Sequence, residues 1–182
     1  NDVTGDAEVV VAGGKRHPYA AAGTVLVWRN PESQPLVLDF PADLVTEGLD
    51  MVTAVAYAPR LRLAAGFNLL QGAVGVWDVD SGDRVHTVQL RKDPDGDNVD
   101  GRTRMTASAD GESLAVAMED RVSVIDVESG TIRSSFDSGN VWALLSPDGQ
   151  RLALAATDKI TFTGLDGSEQ AVIHVPGYSQ AE

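Results

Sequence analysis

The feature that most constrains the fold of this chain is a repeat in its C-terminal half. Residues 105–127 read MTASADGESLAVAMEDRVSVIDV, and residues 141–165 read VWALLSPDGQRLALAATDKITFTGL. In both segments a Ser-x-Asp-Gly turn separates two apolar runs, and the two turns lie 38 residues apart. Short strands repeated with a period of roughly 40 residues are typical of propeller-type arrays. The repeat therefore predicts an all-β fold.

The same pattern extends toward the N-terminus and divides one domain, residues 1–182, into four units. Their approximate limits are 1–50, 51–101, 102–139 and 140–176, followed by a tail at 177–182. Within the units, about 15 short strands are joined by tight loops, which connect antiparallel neighbours. The first unit lacks a segment that could form its innermost strand. We therefore expect four-stranded antiparallel sheets, with the first one incomplete.

Aligning the third strand of each unit places Trp28, Trp77, Ile125 and Thr163 at one position. The steps between them are 49, 48 and 38 residues, and insertions at 40–50 and 91–101 account for the two longer steps. We predict that Trp28 and Trp77 are apolar wedges between neighbouring sheets. In the last unit, Trp142 and Leu144 are predicted to pack between sheets as well.

The strands are apolar on nearly every residue, which requires both faces of each small sheet to be covered. Sheets stacked face to face around an axis meet this requirement, and a fixed period repeats the same contact. A β-sandwich would show a cleaner alternation of apolar and polar residues. The pattern therefore predicts a β-propeller built of about four blades.

Two segments resemble the third strand of the WD-repeat family: 76–82, VWDVDSG, and 124–130, VIDVESG. Residues 146–153, SPDGQRLA, resemble the family's turn between the first and second strands. The resemblance covers nearly the whole chain and is closest to the divergent bacterial type. It implies a non-catalytic platform that binds partners. The family's Gly-His pair is absent from every unit, so its buried hydrogen-bond network cannot form here in full.

Four units are fewer than the seven blades that are usual in this family. Three arrangements stay open: a larger ring completed by residues elsewhere, two copies forming one ring of about eight blades, or a small four-bladed ring. An open array would expose apolar sheet faces at its ends, which soluble monomers rarely do. We therefore expect a closing partner. The first residues contain no initiator Met, which predicts a piece of a longer protein.

Composition excludes several classes of function. The chain has no cysteine, so disulfides, zinc–thiolate sites and thiol catalysis are excluded. Its 14 basic and 27 acidic residues give a net charge of −13, which repels phosphate backbones and argues against a nucleic-acid partner. Nothing approaches 18 consecutive apolar residues, so membrane insertion is not expected. The partner that we expect is a protein or a peptide.

One loop, residues 93–101, has a composition that could bind a metal. Asp93, Asp95, Asp97 and Asp100 offer closely spaced carboxylate oxygens, the ligands that calcium prefers. The twelfth position counted from Asp93 is Arg104 instead of a bidentate Glu, so the match to known calcium loops is incomplete. A calcium site and a solvated acidic hairpin both stay open, and no other cofactor is expected.

The sequence does not predict an enzyme. The innermost strands carry no Asp, Glu or His, and Arg104 is their one charged residue. The aspartates Asp78, Asp110, Asp126 and Asp148 are predicted to form turns by accepting bonds from nearby amides. The favoured function is a non-catalytic scaffold that binds protein or peptide. The alternatives are a ligand- or calcium-dependent sensing domain and, more remotely, a propeller hydrolase or lactonase.

Overall fold

The computed structural model describes residues 10–15, 23–30, 32–40, 51–91, 103–118, 120–139 and 141–175. In this part of the chain, fifteen strands form four antiparallel sheets, and no helix is present. The prediction of an all-β fold made of successive small sheets is confirmed.

Each sheet is a meander of consecutive strands. The first sheet contains β1 (Val10–Lys15), β2 (Gly23–Trp28) and β3 (Leu36–Asp39). The second contains β4 (Val52–Ala58), β5 (Leu63–Asn68), β6 (Ala73–Asp78) and β7 (Arg84–Gln89). The third contains β8 (Arg104–Ala107), β9 (Ser113–Met118), β10 (Arg121–Asp126) and β11 (Thr131–Asp137). The fourth contains β12 (Trp142–Leu145), β13 (Arg151–Ala155), β14 (Lys159–Gly164) and β15 (Glu169–His174).

The four sheets stack in chain order, and apolar side chains fill the space between neighbours. One buried cluster joins the first and second sheets, a second cluster joins the second and third, and a third cluster joins the third and fourth. Strand β1 contacts β4, β4 contacts β8, and β8 contacts β12, so strands on the same edge of successive sheets lie side by side. The arrangement is propeller-like.

The stack does not close into a ring. The alternative of a closed four-bladed ring is therefore wrong for the four described sheets, because the last of them does not return to the first. Among the described residues the first sheet has three strands, as its sequence predicts. Its strand β2 carries Trp28 where β6 carries Trp77, so β1 and β3 correspond to β5 and β7.

The wedge position of the second sheet is filled as predicted. Trp77 is 1% exposed and packs into the cluster between the first and second sheets. Its ring meets Phe40 edge to face, with centroids 5.0 Å apart. An aromatic pair in this geometry adds a directional attraction to the burial of apolar area. Trp77 therefore anchors the contact between these two sheets.

The predicted turn aspartates cap the hairpins that connect the strands. Asp110 Oδ1 accepts a bond from the Glu112 backbone N–H at 3.0 Å, and Asp148 Oδ1 accepts one from the Gln150 backbone N–H at 3.1 Å. The serine two residues earlier donates its hydroxyl to the same carboxylate in both turns, and this bond lowers the pKa of Asp110 and of Asp148. The repeated Ser-x-Asp-Gly sequence is therefore a turn with its own side-chain bonds.

Asp126 is the turn carboxylate with the largest pKa shift. The Ser129 backbone N–H donates to Asp126 Oδ1 at 2.8 Å, and Arg133 pairs with the other carboxylate oxygen. The Ser129 backbone N–H, followed by Arg133, lowers the pKa of Asp126 to about 2. The charged form of this carboxylate is thus favoured in the folded state.

This shift predicts a loss of stability in acid. The pKa of Asp126 is lower in the folded chain than in the unfolded chain, where it is ~4. The ionised carboxylate therefore stabilises the fold fully above that pH, and this stabilisation is lost as the pH falls toward 2. We expect Asp126→Asn to reduce the free energy of unfolding by about 1–2 kcal/mol at pH 6, since the pair with Arg133 is partly screened by solvent. The difference from the parent chain should vanish near pH 2. Urea titrations at pH 6, 4 and 2 measure it, and a pH-independent difference would contradict it.

Candidate functional site

One face of the fourth sheet is apolar, and none of the other described sheets packs on it. The register places its members in directly opposed pairs along the four strands, with every second residue on the same side. We call this surface the open face. Its members are Trp142, Leu144, Ala153, Ala155, Ile160, Phe162, Ala171 and Ile173.

The open face corresponds to faces that are buried in the two preceding sheets. In the second sheet this face includes the pairs Ala65–Val76 and Phe67–Val74, and in the third sheet Ala115–Val124 and Ala117–Val122. All eight of these residues are at most 3% exposed, because the next sheet covers them. The equivalent pairs of the fourth sheet are Ala153–Phe162 and Ala155–Ile160.

The exposure of the open face is high for side chains of this kind. Leu144 is 50% exposed, Trp142 57% and Ile173 54%. Exposed apolar residues elsewhere in the described part, such as Val85 and Ile132, lie singly on outer strands. Scattered apolar residues are normal on a protein surface, whereas a contiguous apolar face marks an interaction site. The open face is therefore the candidate functional site.

The prediction that Trp142 and Leu144 pack between sheets is wrong for the described residues, because none of the four described sheets covers them. The third sheet packs on the opposite side of the fourth, where Ala143 is 2% exposed and Leu152 is fully buried. Ile160, Phe162 and Ile173 are not among the residues predicted from the sequence. Ile160 and Phe162 lie two residues apart on β14, and Ile173 on β15 pairs with Ile160. This period of two is the signal that could have identified them.

At the inner edge of the open face, Arg104 contacts Trp142. The guanidinium carbon of Arg104 lies 4.4 Å from the centroid of the indole ring, which is a cation–π arrangement. Arg104 also donates to the Thr103 carbonyl at 3.0 Å. The charged residue that the sequence places on an innermost strand thus orients the largest side chain of the open face.

A second candidate is a cleft of about 180 Å³ between the third and fourth sheets. Thr163 lines it, is 2% exposed, and its hydroxyl has no hydrogen-bond partner. Thr163 holds the position that Trp77 and Ile125 fill with large apolar groups in the second and third sheets. The cleft therefore reflects a small polar residue at a wedge position.

The cleft leads to a prediction about Thr163. We expect Thr163→Val to raise the free energy of unfolding by about 1 kcal/mol, because it removes a buried hydroxyl without a partner. Thr163→Ile should raise it further by filling part of the cleft. Urea denaturation measures both variants. Thr161→Val is the matched control, because Thr161 lines the same cleft but is only half-buried. A loss of stability in Thr163→Val would contradict the prediction.

The predicted metal ligands Asp93, Asp95, Asp97 and Asp100 lie outside the described residues, so the calcium loop stays a prediction. Within the described ranges, no group of three or more His, Asp or Glu residues is placed to hold a metal ion. His86 Nε2 donates a hydrogen bond of 2.7 Å to the Glu128 backbone carbonyl, and His174 is exposed on β15. Both histidines thus lie on the outermost strands of their sheets.

In the described part of the chain, the structure has no helix of the length and apolar character needed to span a membrane. No protein-family model matches the sequence, and a comparison with curated proteins finds no match.

Proposed function

We propose that this chain is a non-catalytic propeller module of the WD-repeat type that binds a protein or a peptide through the open face. The observation that carries the proposal is that this face, buried at equivalent positions in the second and third sheets, is uncovered in the fourth. An apolar sheet face in water is unfavourable by roughly 25 cal/mol per Å², so a partner that covers it gains free energy.

The chemistry of the open face supports a protein partner. None of its eight members is charged, so a partner can cover it without burying an unpaired charge. It carries two aromatic side chains, Trp142 and Phe162, beside branched aliphatic ones. Binding energy at protein interfaces is concentrated in buried aromatic anchors of this kind.

The described carboxylates support a non-catalytic role. Asp78, Asp110, Asp126, Asp148 and Asp166 all have lowered pKa values, and each accepts bonds from its own turn. A general acid or base that works near neutral pH needs a pKa close to that pH. These groups are instead held as anions by the hairpins that they stabilise. The alternative sensing function depends on the acidic loop at 93–101, and no described contact favours it.

Cross-linking at single positions tests the proposal. A photoactivatable benzoylphenylalanine replaces Leu144 on the open face or, as the matched control, Ile132 on the outer strand β11. The two side chains are exposed to a similar extent, at 50% and 43%. We expect a discrete cross-linked product from position 144, formed in cells that produce the protein and identified by mass spectrometry. Equal products from both positions, or no product from position 144, would overturn the proposal.

A further inference from the structure

The chain carries both halves of a sheet-to-sheet interface that it already uses three times. Each internal interface joins one face of a sheet to the opposite face of the next sheet in the chain. The open face is the first half of such an interface. The second half is the side of the first sheet that points away from the second, and no described sheet covers it.

That side of the first sheet is also apolar, and we call it the leading face. The register places Ala12, Leu26 and Val37 on it in one row, with Trp28 two residues beyond Leu26. Val37 is 41% exposed, and the other three are half-buried. Opposite to them, Val11, Val25, Val27 and Leu38 are buried against the second sheet.

The wedge residues show how the two faces would fit. Trp77 points from the second sheet into the cluster that contains Val25 and Val27 of the first. By position in the repeat, Trp28 is the equivalent of Trp77, and Ile160 and Phe162 are the equivalents of Val25 and Val27. Trp28 placed on Ile160 and Phe162 would therefore repeat a contact that this chain already makes.

We propose that the occupant of the open face is a second copy of this chain, in head-to-tail contact with its leading face. This inference rests on the proposed function and names the partner. Two copies related by a two-fold axis form two identical interfaces, and eight sheets then close one ring. In this dimer the open face of each copy covers the leading face of the other. A single protomer cannot do this, because its described sheets form an open stack. The charge of −13 on each copy opposes association, so added salt should strengthen the dimer.

The test measures molar mass by light scattering over a range of protein concentrations. We expect twice the chain mass of 19.2 kDa for the parent and the monomer mass for Leu144→Asp and for Val37→Asp. An equimolar mixture of the two variants should regain the dimer mass, because one intact open face then meets one intact leading face. Ile132→Asp, on an exposed residue outside both faces, should stay dimeric. Circular dichroism confirms that each variant is folded.

The outcomes separate this inference from the proposed function. A monomeric parent chain whose position 144 cross-links to a different polypeptide overturns the second copy and leaves the binding module standing. A dimer that survives Leu144→Asp forms through another surface and also overturns the inference. A dimer that survives only Val37→Asp indicates association of two open faces, and two monomeric variants that do not recover in the mixture contradict the head-to-tail contact. The absence of both a dimer and a cross-link overturns both proposals.

Discussion

Replacing Trp77 with alanine is expected to remove a large part of the stability of the folded chain. The indole is 1% exposed, fills the space between the first and second sheets, and meets the ring of Phe40. Substitutions of buried Trp or Phe by Ala typically cost about 3–5 kcal/mol, from lost burial and the cavity that remains. Since domains of this size are stable by only about 5–15 kcal/mol, the variant should unfold at much lower urea concentration.

The other two tryptophans are matched controls for this prediction. Trp142 is 57% exposed, and Trp28 is half-buried on a face that no described sheet covers. We expect both alanine variants to cost less than half as much as Trp77→Ala in the monomer. Urea denaturation followed by far-ultraviolet circular dichroism compares the three without relying on the tryptophan signal. Equal losses in all three would contradict the assignment of Trp77 as the wedge between sheets.

The fold could be predicted from the sequence because its turns carry their own bonds. The Ser-x-Asp-Gly hairpins close through a serine hydroxyl and an aspartate two residues apart in sequence, and Gly111 and Gly149 adopt positive φ values of 76° and 64°. These interactions are local, so they depend little on the rest of the molecule. The number of strands and their grouping into four sheets consequently agree with the sequence prediction in the described part of the chain.

The candidate site could be predicted only in part, because a strand sequence does not say whether its face is covered. Leu144 and Ala153 alternate along their strands as Ala56 and Ala65 do, yet only the latter pair lies under another sheet. Burial of such residues depends on an adjacent sheet and not on their own sequence.

A large loss of stability is also expected when Gly75, in the middle of β6, is replaced by alanine. An added Cβ at Gly75 would lie 2.2 Å from Cη2 of Trp77, and Gly75 pairs directly with Gly66 on β5. Because neither glycine carries a side chain, the pair leaves room for the indole of Trp77 to lie against the sheet. We expect Gly75→Ala to cost about 2 kcal/mol net, because the clash outweighs the roughly 0.5–1 kcal/mol that a strand gains when alanine replaces glycine.

A double-mutant cycle isolates the cause of that loss. If the clash with the indole is responsible, Gly75→Ala should become stabilising by about 0.5–1 kcal/mol in a Trp77→Leu background, which gives a coupling energy of about 2.5–3 kcal/mol. Gly66→Ala provides a crossed control, because its added Cβ would lie 2.4 Å from Cγ2 of Val25. Val25→Ala should therefore rescue Gly66→Ala and leave the cost of Gly75→Ala unchanged. An additive cycle at Gly75 would show that backbone conformation, and not room for the indole, requires glycine there.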